Sequence, residues 1–492
     1  MHSSIGQPCT ADPSPPTPRS IGGLAPIRTP FSLLVLLLLI LGSGGVGLAA
    51  SAADPSAANP NTASPNTASP NTASPNTASP NTASLIAGPA YEIIDLAAAL
   101  PFPTTDSVAF EVSDTGLIVG IARDSSGRYK SILWSFEAAD VLSGTDPVLV
   151  ATVLNPDFYD GRIAVAVSDE GVVVGQDSGA ATGWAWFDGE FECIPLPAPC
   201  GSIDNLWRAS APRDINDFNV FTGGISPDVG QHPDDPVVPY RAVTFDRRES
   251  TIIERLESFE GRATFGNAIN RFGIILAVAG SSLVYDAVLY NYGPPQLLPT
   301  QGGDYNWPTA LNDEIIQGVG FVSDPGETQW PYSGTAALWG ASFDPVTLDL
   351  LGRLAGYPIA WPHDINNTRE IVGTARRQTG DHLLEERAIL WIGEPAVDLT
   401  PLVLGDDNAS GSPSSRSQPS GNQLSGTSPS WTLQSARGIN DSGWIVGEGV
   451  RDNISERRRA FLLIPHVNDD EVFEHGFEAG SAGGWSQIIG EP

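Results

Sequence analysis

Seven segments between residues 112 and 447 share one pattern of apolar and polar positions. Each starts with an apolar residue, continues with Ser or Asn and usually a second polar residue, and ends in an apolar run that most often closes on glycine. The segments are Val112–Gly120, Val167–Gly175, Ile215–Gly223, Ile269–Ala277, Leu311–Gly318, Ile365–Gly373 and Ile439–Gly447. Asn and Asp side chains cap tight turns, and glycine accepts positive φ, so each segment predicts two strands joined by a turn. The fifth copy is irregular by one residue.

A second apolar strand follows each segment after a polar loop. These strands are Ser131–Trp134, Trp184–Trp186, Arg241–Phe245, Asp286–Tyr290, Thr335–Trp339, Arg387–Trp391 and Arg459–Leu463. A further short strand often comes next, as in Thr347–Leu351 and Val397–Pro401. Three to four short strands in each repeat of roughly 50 residues are the content of one propeller blade. We predict an all-β fold, a seven-bladed β-propeller over residues 86–466.

The two ends of this region complement each other. The seventh repeat ends near Pro465 without a following strand, while Tyr91–Leu96 is an apolar strand that precedes the first repeat. An exposed sheet edge is a liability that ring closure removes. We therefore expect the N-terminal strand to complete the last blade, which favours a closed propeller over an open β-solenoid.

The repeats resemble those of the extracellular HAF-repeat proteins, exported bacterial chains in which Ile-Asn-Asx-x-Gly-x-Ile-Val-Gly precedes a His-Ala-Phe strand. The resemblance covers about residues 90–465, and Ile365–Gly373 and Ile439–Gly447 are its strongest copies. The naming tripeptide is present only as Arg459-Ala-Phe461, without its histidine. The resemblance implies a propeller-like fold and export, and it implies no specific activity.

The termini predict export. Arg19 and Arg28 precede the apolar run 31–41 and a small-residue stretch ending in Ala-Ala-Ser-Ala, which is the order of a signal peptide over residues 1–52. Tandem Ser-Pro-Asn-Thr-Ala copies make residues 53–85 an extended spacer, because a proline every fifth residue prevents a packed core. The Ser/Gly-rich insertion 407–430 is predicted to be disordered. The acidic tail 467–492 is either a disordered segment or a Gly-Phe-Glu-x-Gly sorting element.

The amino-acid composition limits the classes of binding partner that we expect. The formal net charge is −32, with 57 acidic against 25 basic residues. This excess repels phosphate backbones and anionic lipid, so we expect neither nucleic-acid nor electrostatic membrane binding. We expect a secreted or cell-surface location with an unknown extracellular partner, carbohydrate or protein; the alternative is anchoring by an uncleaved N-terminal helix.

A search for recognisable chemistry is largely negative. The chain contains no nucleophile elbow, P-loop or sialidase-type box, and its six histidines are not at metal-ligand spacing. We predict no cofactor and no metal site. Asn-Asp-x-Gly resembles calcium loops, but each copy supplies only one or two carboxylates, so a turn role is favoured. In an exported chain, Cys193 and Cys200 predict a small-loop disulfide.

Four aromatic residues are the candidate ligand-binding residues. Phe265, Trp307 and Trp361 each lie four residues before the apolar start of a repeat, and Trp431 follows the insertion. They either form a stacking face for a sugar or peptide, or pack between blades. The first hypothesis for function is a non-catalytic binding or scaffolding propeller. The second is a secreted carbohydrate-active hydrolase or lyase that uses channel carboxylates.

Overall fold

A computed structural model describes residues 90–466 apart from 137–147, 155–161, 178–182, 195–206, 228–240, 248–252, 281–283, 314–316, 328–332, 341–345, 380–382, 394, 405–430 and 452–456. The predicted signal peptide, spacer, disordered insertion and acidic tail lie outside the described residues. Within the described part, no helix has the length and hydropathy needed to cross a membrane.

The described chain is built of short strands. The first runs are β1 (Ala90–Asp95), β2 (Thr104–Val112), β3 (Ile118–Asp124), β4 (Tyr129–Phe136), β5 (Leu149–Val153), β6 (Arg162–Val167), β7 (Val173–Asp177), β8 (Gly183–Phe187), β9 (Glu190–Cys193), β10 (Trp207–Ile215), β11 (Val220–Pro227), β12 (Arg241–Asp246) and β13 (Ile253–Arg255). The middle runs are β14 (Ala263–Ile269), β15 (Ile275–Gly280), β16 (Tyr285–Tyr290), β17 (Gln296–Leu297), β18 (Asn306–Leu311), β19 (Gly318–Ser323), β20 (Gly334–Trp339) and β21 (Leu348–Leu350). The last runs are β22 (Ile359–Ile365), β23 (Ile371–Thr379), β24 (Leu383–Trp391), β25 (Val397–Asp398), β26 (Trp431–Ile439), β27 (Ile445–Arg451) and β28 (Arg459–His466). Short 3-10 turns follow β1 at Leu96–Ala99 and β25 at Thr400–Leu402.

These strands form five four-stranded antiparallel sheets and one eight-stranded sheet. Four of the smaller sheets take consecutive strands: β2–β5, β6–β9, β10–β13 and β14–β17. The eight-stranded sheet contains two antiparallel runs, β18–β21 and β22–β25, joined by one parallel bridge between Gly334 and Ile359. The predicted all-β class, with repeated four-stranded sheets, is therefore confirmed.

The remaining sheet joins the two ends of the described chain. Its order is β1-β28-β27-β26, and β1 runs antiparallel to β28 from Ala90 opposite His466 to Asp95 opposite Phe461. The predicted pairing of the N-terminal strand with the last repeat is confirmed.

Buried tryptophans show that β1 takes the place of a fourth strand. The indole N–H of Trp339 donates to the carbonyl of Pro299, just after β17, and that of Trp391 donates to Gly352, just after β21. Trp134 makes the same bond, 3.0 Å long, to the carbonyl of Leu96, just after β1. One hydrophobic core accordingly includes Ile118 and Trp134 of the first sheet and Val446 and Leu462 of the last sheet.

The predicted turns follow the repeat motif. In the last copy, Asn440 Oδ1 accepts the backbone N–H groups of Ser442 and Trp444 at 3.1 and 2.9 Å, and Gly443 has a φ of 74°. Three copies lack this glycine: in the third and sixth, Asn219 and Arg369 carry the positive φ, and the turn of the fifth includes residues 314–316, which lie outside the described residues. The capping side chain, Ser or Asn, is therefore present in more repeats than the turn glycine.

The glycine that ends the motif has a different role from the turn glycine. A β-bulge interrupts the first strand of every repeat at the same place, for example between Pro362 and Asp364. Gly373 lies across from this bulge, where an added Cβ would be 2.2 Å from the carbonyl oxygen of Trp361. Equivalent approaches of 2.0 to 2.5 Å occur at Gly120, Gly175, Gly223, Gly320 and Gly447.

The fifth repeat corrects our alignment. Gly320, not Gly318, pairs with Pro308 across the bulge, and Gly318 pairs with Leu311, the place that Ile445 has opposite Ile439 in the last repeat. The turn after Leu311 is one residue longer than in the other copies, because Asn312 pairs with Gln317 whereas Asn440 pairs with Trp444. The irregularity is therefore an insertion in the turn.

Candidate functional site

The first strands of the repeats surround one cavity. Residues of β2, β6, β10, β14, β18, β22 and β26, with the turns that follow them, line a volume of about 270 Å³. We call these strands the inner strands and the volume the channel. Because equivalent positions of successive repeats meet here, the lining is arranged in layers that follow the repeat motif from the turn inwards.

The layer nearest the turns holds five carboxylates, which we call the mouth carboxylates. They are Asp114, Asp169, Asp217, Asp313 and Asp441. Each accepts a backbone N–H from the turn of the preceding repeat: Asp313 from Arg271 at 2.6 Å, and Asp114 from Asp441 at 2.8 Å. The last of these bonds joins the seventh repeat to the first.

The next layer is a relay of asparagine amides. Each Asn side chain caps its own turn with the carbonyl oxygen and donates its Nδ2 hydrogens to the backbone of the next repeat, a combination that an ionised Asp, which has no donor, cannot provide. The bonds run from Asn216 to Asn270, Asn270 to Asn312, Asn312 to Asn366, Asn366 to Asn440 and Asn440 to Ser113, with lengths of 2.9 to 3.4 Å. Ser113 and Ser168 replace Asn in the first two repeats.

Three further acids lie one layer deeper, and we call them the deep carboxylates: Glu111, Asp214 and Asp364. Asp364 accepts the N–H of Ile365 and, in the next sheet, that of Ile439, each at 2.8 Å. Asp214 accepts Ile215 and Ile269 at 2.7 Å in the same way. These acids therefore bridge neighbouring sheets by satisfying backbone groups beside the bulge.

The channel shifts the proton affinity of its acids. Burial raises the pKa of Asp214 and Asp364 to about 7, and that of Asp114 to about 6. Burial, with the neighbouring charges of Asp214 and Asp364, raises the pKa of Glu111. Burial also raises the pKa of Asp217 and Asp313. A fraction of these carboxyl groups is therefore protonated at neutral pH. A cation bound in the channel would favour their ionised form.

The bulged residues form the innermost layer. Phe110, Arg213, Asn267, Thr309, His363 and Arg437 line the channel from six of the seven inner strands. His363 Nε2 lies 2.9 Å from Thr374 Oγ1, and burial followed by the charges of Arg437 and Arg376 keeps its pKa well below the usual value. His363 is therefore neutral at pH 7.

The two arginines of this layer differ. Arg437 makes a 2.7 Å ion pair with the buried Glu448. The guanidinium of Arg213 lies 5.2 Å from the ring centre of Phe265, burial lowers its pKa to about 10, and its Nε has no hydrogen-bond partner in the described protein. Asn267 Oδ1 is also buried without a partner there. Orphan buried polar atoms in a native fold require an explanation, such as an ion or a ligand.

The four predicted aromatic residues lie elsewhere, between sheets. Trp361 stacks on Phe321 of the preceding run of strands, with ring centres 4.4 Å apart. Trp307 packs on Tyr305, and Phe265 lies against Gly224 of the preceding sheet. Trp307, Trp361 and Trp431 are at most 7% exposed, and none of the four is among the channel-lining residues described above. The positions of Phe265, Trp307 and Trp361 are those of packing residues, whereas Trp431 also lines a separate cavity with Ile93 and Arg451. The ligand-binding role of the four residues stays a prediction.

Cys193 and Cys200 are the remaining predicted site residues. Cys200 lies outside the described residues, so the disulfide with Cys193 stays a prediction. In the part of the chain that the structure describes, no three His, Cys, Asp or Glu side chains converge as a metal site.

Sequence reasoning missed the channel residues, although the repeats contain a signal for them. When the seven segments are stacked, the two positions before the apolar start hold Arg213-Asp214, His363-Asp364 and Phe110-Glu111 in three copies. Ionisable residues at a position that other copies fill with alanine or glycine indicate a site. The bulge that directs both side chains to the channel is not visible in the sequence.

No family model and no curated protein matches this chain. Several solved structures are similar in fold. They include a streptogramin B lyase structure (13% identity, 77% of this chain and 98% of that chain, TM-score 0.37), the β-propeller domain of the Trilobed protease from Pyrococcus furiosus (10%, 75% and 99%, 0.40) and U3-55K (14%, 77% and 100%, 0.42). These neighbours have unrelated functions, so the likeness concerns a β-propeller fold and nothing more.

Proposed function

We propose that this protein is an exported, non-catalytic, seven-bladed propeller of the HAF-repeat type that binds a cationic group at the mouth of its channel. The blade count is supported by bonds between successive turns. The asparagine relay joins the third to the seventh repeat and returns from Asn440 to Ser113, and the backbone N–H groups of Thr115 and Asp169, which donate to Asp169 and Asp217, join the first three repeats. Export is supported by the N-terminal sequence pattern alone.

The observation that carries the ligand class is the charge of the channel. Eight carboxylates line it, against the two guanidinium groups of Arg213 and Arg437, and Arg437 is already paired with Glu448. Like charges gathered behind low-dielectric walls focus an attractive field on a cation. Phosphate and sulfate ligands are disfavoured for the same reason.

The shape of the lining supports an organic cation over a bound metal. No described acids converge as metal ligands, whereas the volume of about 270 Å³ accommodates an ammonium or guanidinium group on a short stem. The orphan Nε of Arg213 and Oδ1 of Asn267 lie deeper in the same channel and supply polar contacts for the uncharged part of such a ligand.

Isothermal titration of the purified full chain with spermidine tests this proposal, and Asp217→Asn/Asp313→Asn is the informative variant. Removing two mouth charges is expected to weaken binding about tenfold and to reduce its salt dependence. Glu92→Gln/Asp349→Asn is the matched control, because both residues are exposed and neither lines the channel. Absence of spermidine binding at low salt, or an equal loss in the control, would overturn the proposal.

The second candidate, a carbohydrate-active hydrolase, is favoured by one observation. Asp214 and Asp364 line one channel with pKa values of about 7, the range of a general acid. Both acids, however, already accept backbone N–H groups of two sheets, which accounts for their buried positions without catalysis. Release of reducing ends from a polysaccharide panel, lost in Asp364→Asn, would establish this alternative.

A further inference from the structure

Two phenylalanines break the polar pattern of the turns at the channel mouth. The residue after the second polar position of the motif is Thr115, Glu170, Thr368 or Ser442 in four of the described repeats. In the third and fourth repeats it is Phe218 and Phe272, whose exposed fractions are 51% and 43%. The turn does not need an aromatic residue there, and exposing one forfeits hydrophobic stabilisation. We call this pair the aromatic rim.

The surroundings of the rim are polar and mostly acidic. Asp217 directly precedes Phe218, and Asp313 accepts the N–H of Arg271 beside Phe272. The Arg271 guanidinium lies 4.9 Å from the ring centre of Phe272, and the hydroxyl of Tyr292, itself 82% exposed, donates to the Phe272 carbonyl. These contacts hold the fourth-repeat ring in place next to the mouth carboxylates.

We propose that the aromatic rim and the mouth carboxylates together dock a polypeptide segment that presents a lysine or arginine beside an apolar residue. This inference rests on the proposed cation binding and names its partner. Lysine and arginine carry an apolar stem and a charged head, so the stem and its apolar neighbour can cover Phe218 and Phe272 while the head reaches Asp217 and Asp313.

A protein partner fits these observations better than a sugar. Arg271 already covers one face of the Phe272 ring, which limits flat stacking of a sugar ring. Aliphatic stems pack on ring edges as well as on faces, and buried aromatic anchors surrounded by complementary charge are typical of protein interfaces.

Selection from a random displayed dodecapeptide library, with the full chain as bait, tests the proposal. Enriched peptides are expected to contain Lys or Arg next to an aliphatic or aromatic residue. A synthetic copy of the leading peptide is then titrated by fluorescence anisotropy. Phe218→Ser/Phe272→Ser, which installs the residue of the seventh repeat, is expected to weaken binding at least about tenfold.

Leu297→Ser is the matched control. Leu297 is also an exposed apolar residue, at 50%, but it lies in β17, the outermost strand of its sheet, and not in a turn beside an inner strand. This variant is expected to bind within about twofold of the wild type. Unchanged thermal unfolding of both variants shows that the fold is retained.

The outcomes separate this inference from the proposed function. Equal peptide affinity for Phe218→Ser/Phe272→Ser and Leu297→Ser, with spermidine still bound, overturns the rim and leaves cation binding standing. The cation site is overturned instead if the wild-type chain does not bind spermidine and the selected peptide, although it depends on the rim, contains no Lys or Arg. A glycan array that yields a rim-dependent sugar, with no peptide enriched, overturns the polypeptide partner.

Discussion

Asp364 and Asp313 line the same channel but are held in different ways. Asp364 accepts one backbone N–H from its own strand and one from the next sheet, whereas Asp313 accepts a single N–H, that of Arg271. The deep carboxylate completes the backbone hydrogen bonding of two inner strands. The mouth carboxylate keeps acceptor capacity for a ligand. Aspartates that line one cavity can therefore have different roles. One that accepts two backbone N–H groups is structural, and one that accepts a single N–H group is available to a ligand.

The largest expected effect comes from removing a deep carboxylate. Asp364→Ala leaves the N–H groups of Ile365 and Ile439 without an acceptor, which should reduce the free energy of unfolding by about 2–4 kcal/mol. Asp313→Ala, which frees only the N–H of Arg271, should cost less than about 1 kcal/mol. Denaturant unfolding of the two variants measures the difference, and similar losses would erase the distinction between the layers.

An intermediate effect is expected in the pH dependence of stability. The pKa of Asp364 is about 7 in the folded chain and near 3.8 when unfolded, so the folded state holds a proton that the unfolded chain has released between these values. The contribution of Asp364 to stability is thus complete below about pH 4 and is lost as the pH rises through about 7. Asp364→Asn cannot ionise, and its carbonyl oxygen still accepts a hydrogen bond.

The Tm of Asp364→Asn minus that of the wild type should therefore become more positive as the pH is raised from about 4 to 8. Scanning calorimetry across this range measures the difference. The charge of Asp364 also raises the pKa of Glu111 and Asp214, so removing it changes the difference in the same direction. A difference that stays constant or falls with rising pH contradicts the raised pKa of Asp364.

The smallest expected effect is a slight gain in stability from a mouth variant. Asp313→Asn keeps an acceptor for the N–H of Arg271 and removes a charge whose burial, with the repulsion of Asp441 and Asp169, outweighs its attraction to Arg271 and raises the pKa of Asp313. Stability should rise by no more than about 0.5 kcal/mol at low salt while affinity for spermidine falls. Chemical denaturation and titration of the same sample measure both, and a loss of stability above about 1 kcal/mol would place Asp313 with the deep carboxylates.

The repeat motif was enough to predict the strands, the turns and the closing strand. The turns could be predicted because their determinants are local: in the last repeat, the capping side chain of Asn440 and the positive φ of Gly443 belong to one turn. The pairing of β1 with β28 was predictable because the seventh repeat lacked a strand and an unassigned strand preceded the first repeat. The closing glycine of the fifth repeat was wrongly taken as Gly318, because Gly318 and Gly320 both fit the motif when only the sequence is read.

The site was harder to predict because the bulge changes which side chains face the channel. In a regular strand, residues two apart share a face, so Trp361 and Ile365 would point the same way. The extra residue at His363 interrupts this alternation, and Trp361 packs on Phe321 while His363 and Asp364 line the channel. The bulge arises from the pairing of β22 with β23, so the alternation of residues along one strand cannot reveal it.

The bulge opposite Gly373 and its counterparts has a consequence for how such chains diverge. Strand pairing at the bulge is made by the backbone, with a facing glycine in six repeats and Ala277 in the fourth, and makes few demands on the bulged side chain. Accordingly, Phe110, Val165, Arg213, Asn267, Thr309, His363 and Arg437 occupy equivalent places in one molecule. Duplicated repeats can thus keep a uniform scaffold while each copy mutates its own contribution to a shared lining, and the specificity of the channel can evolve one residue at a time.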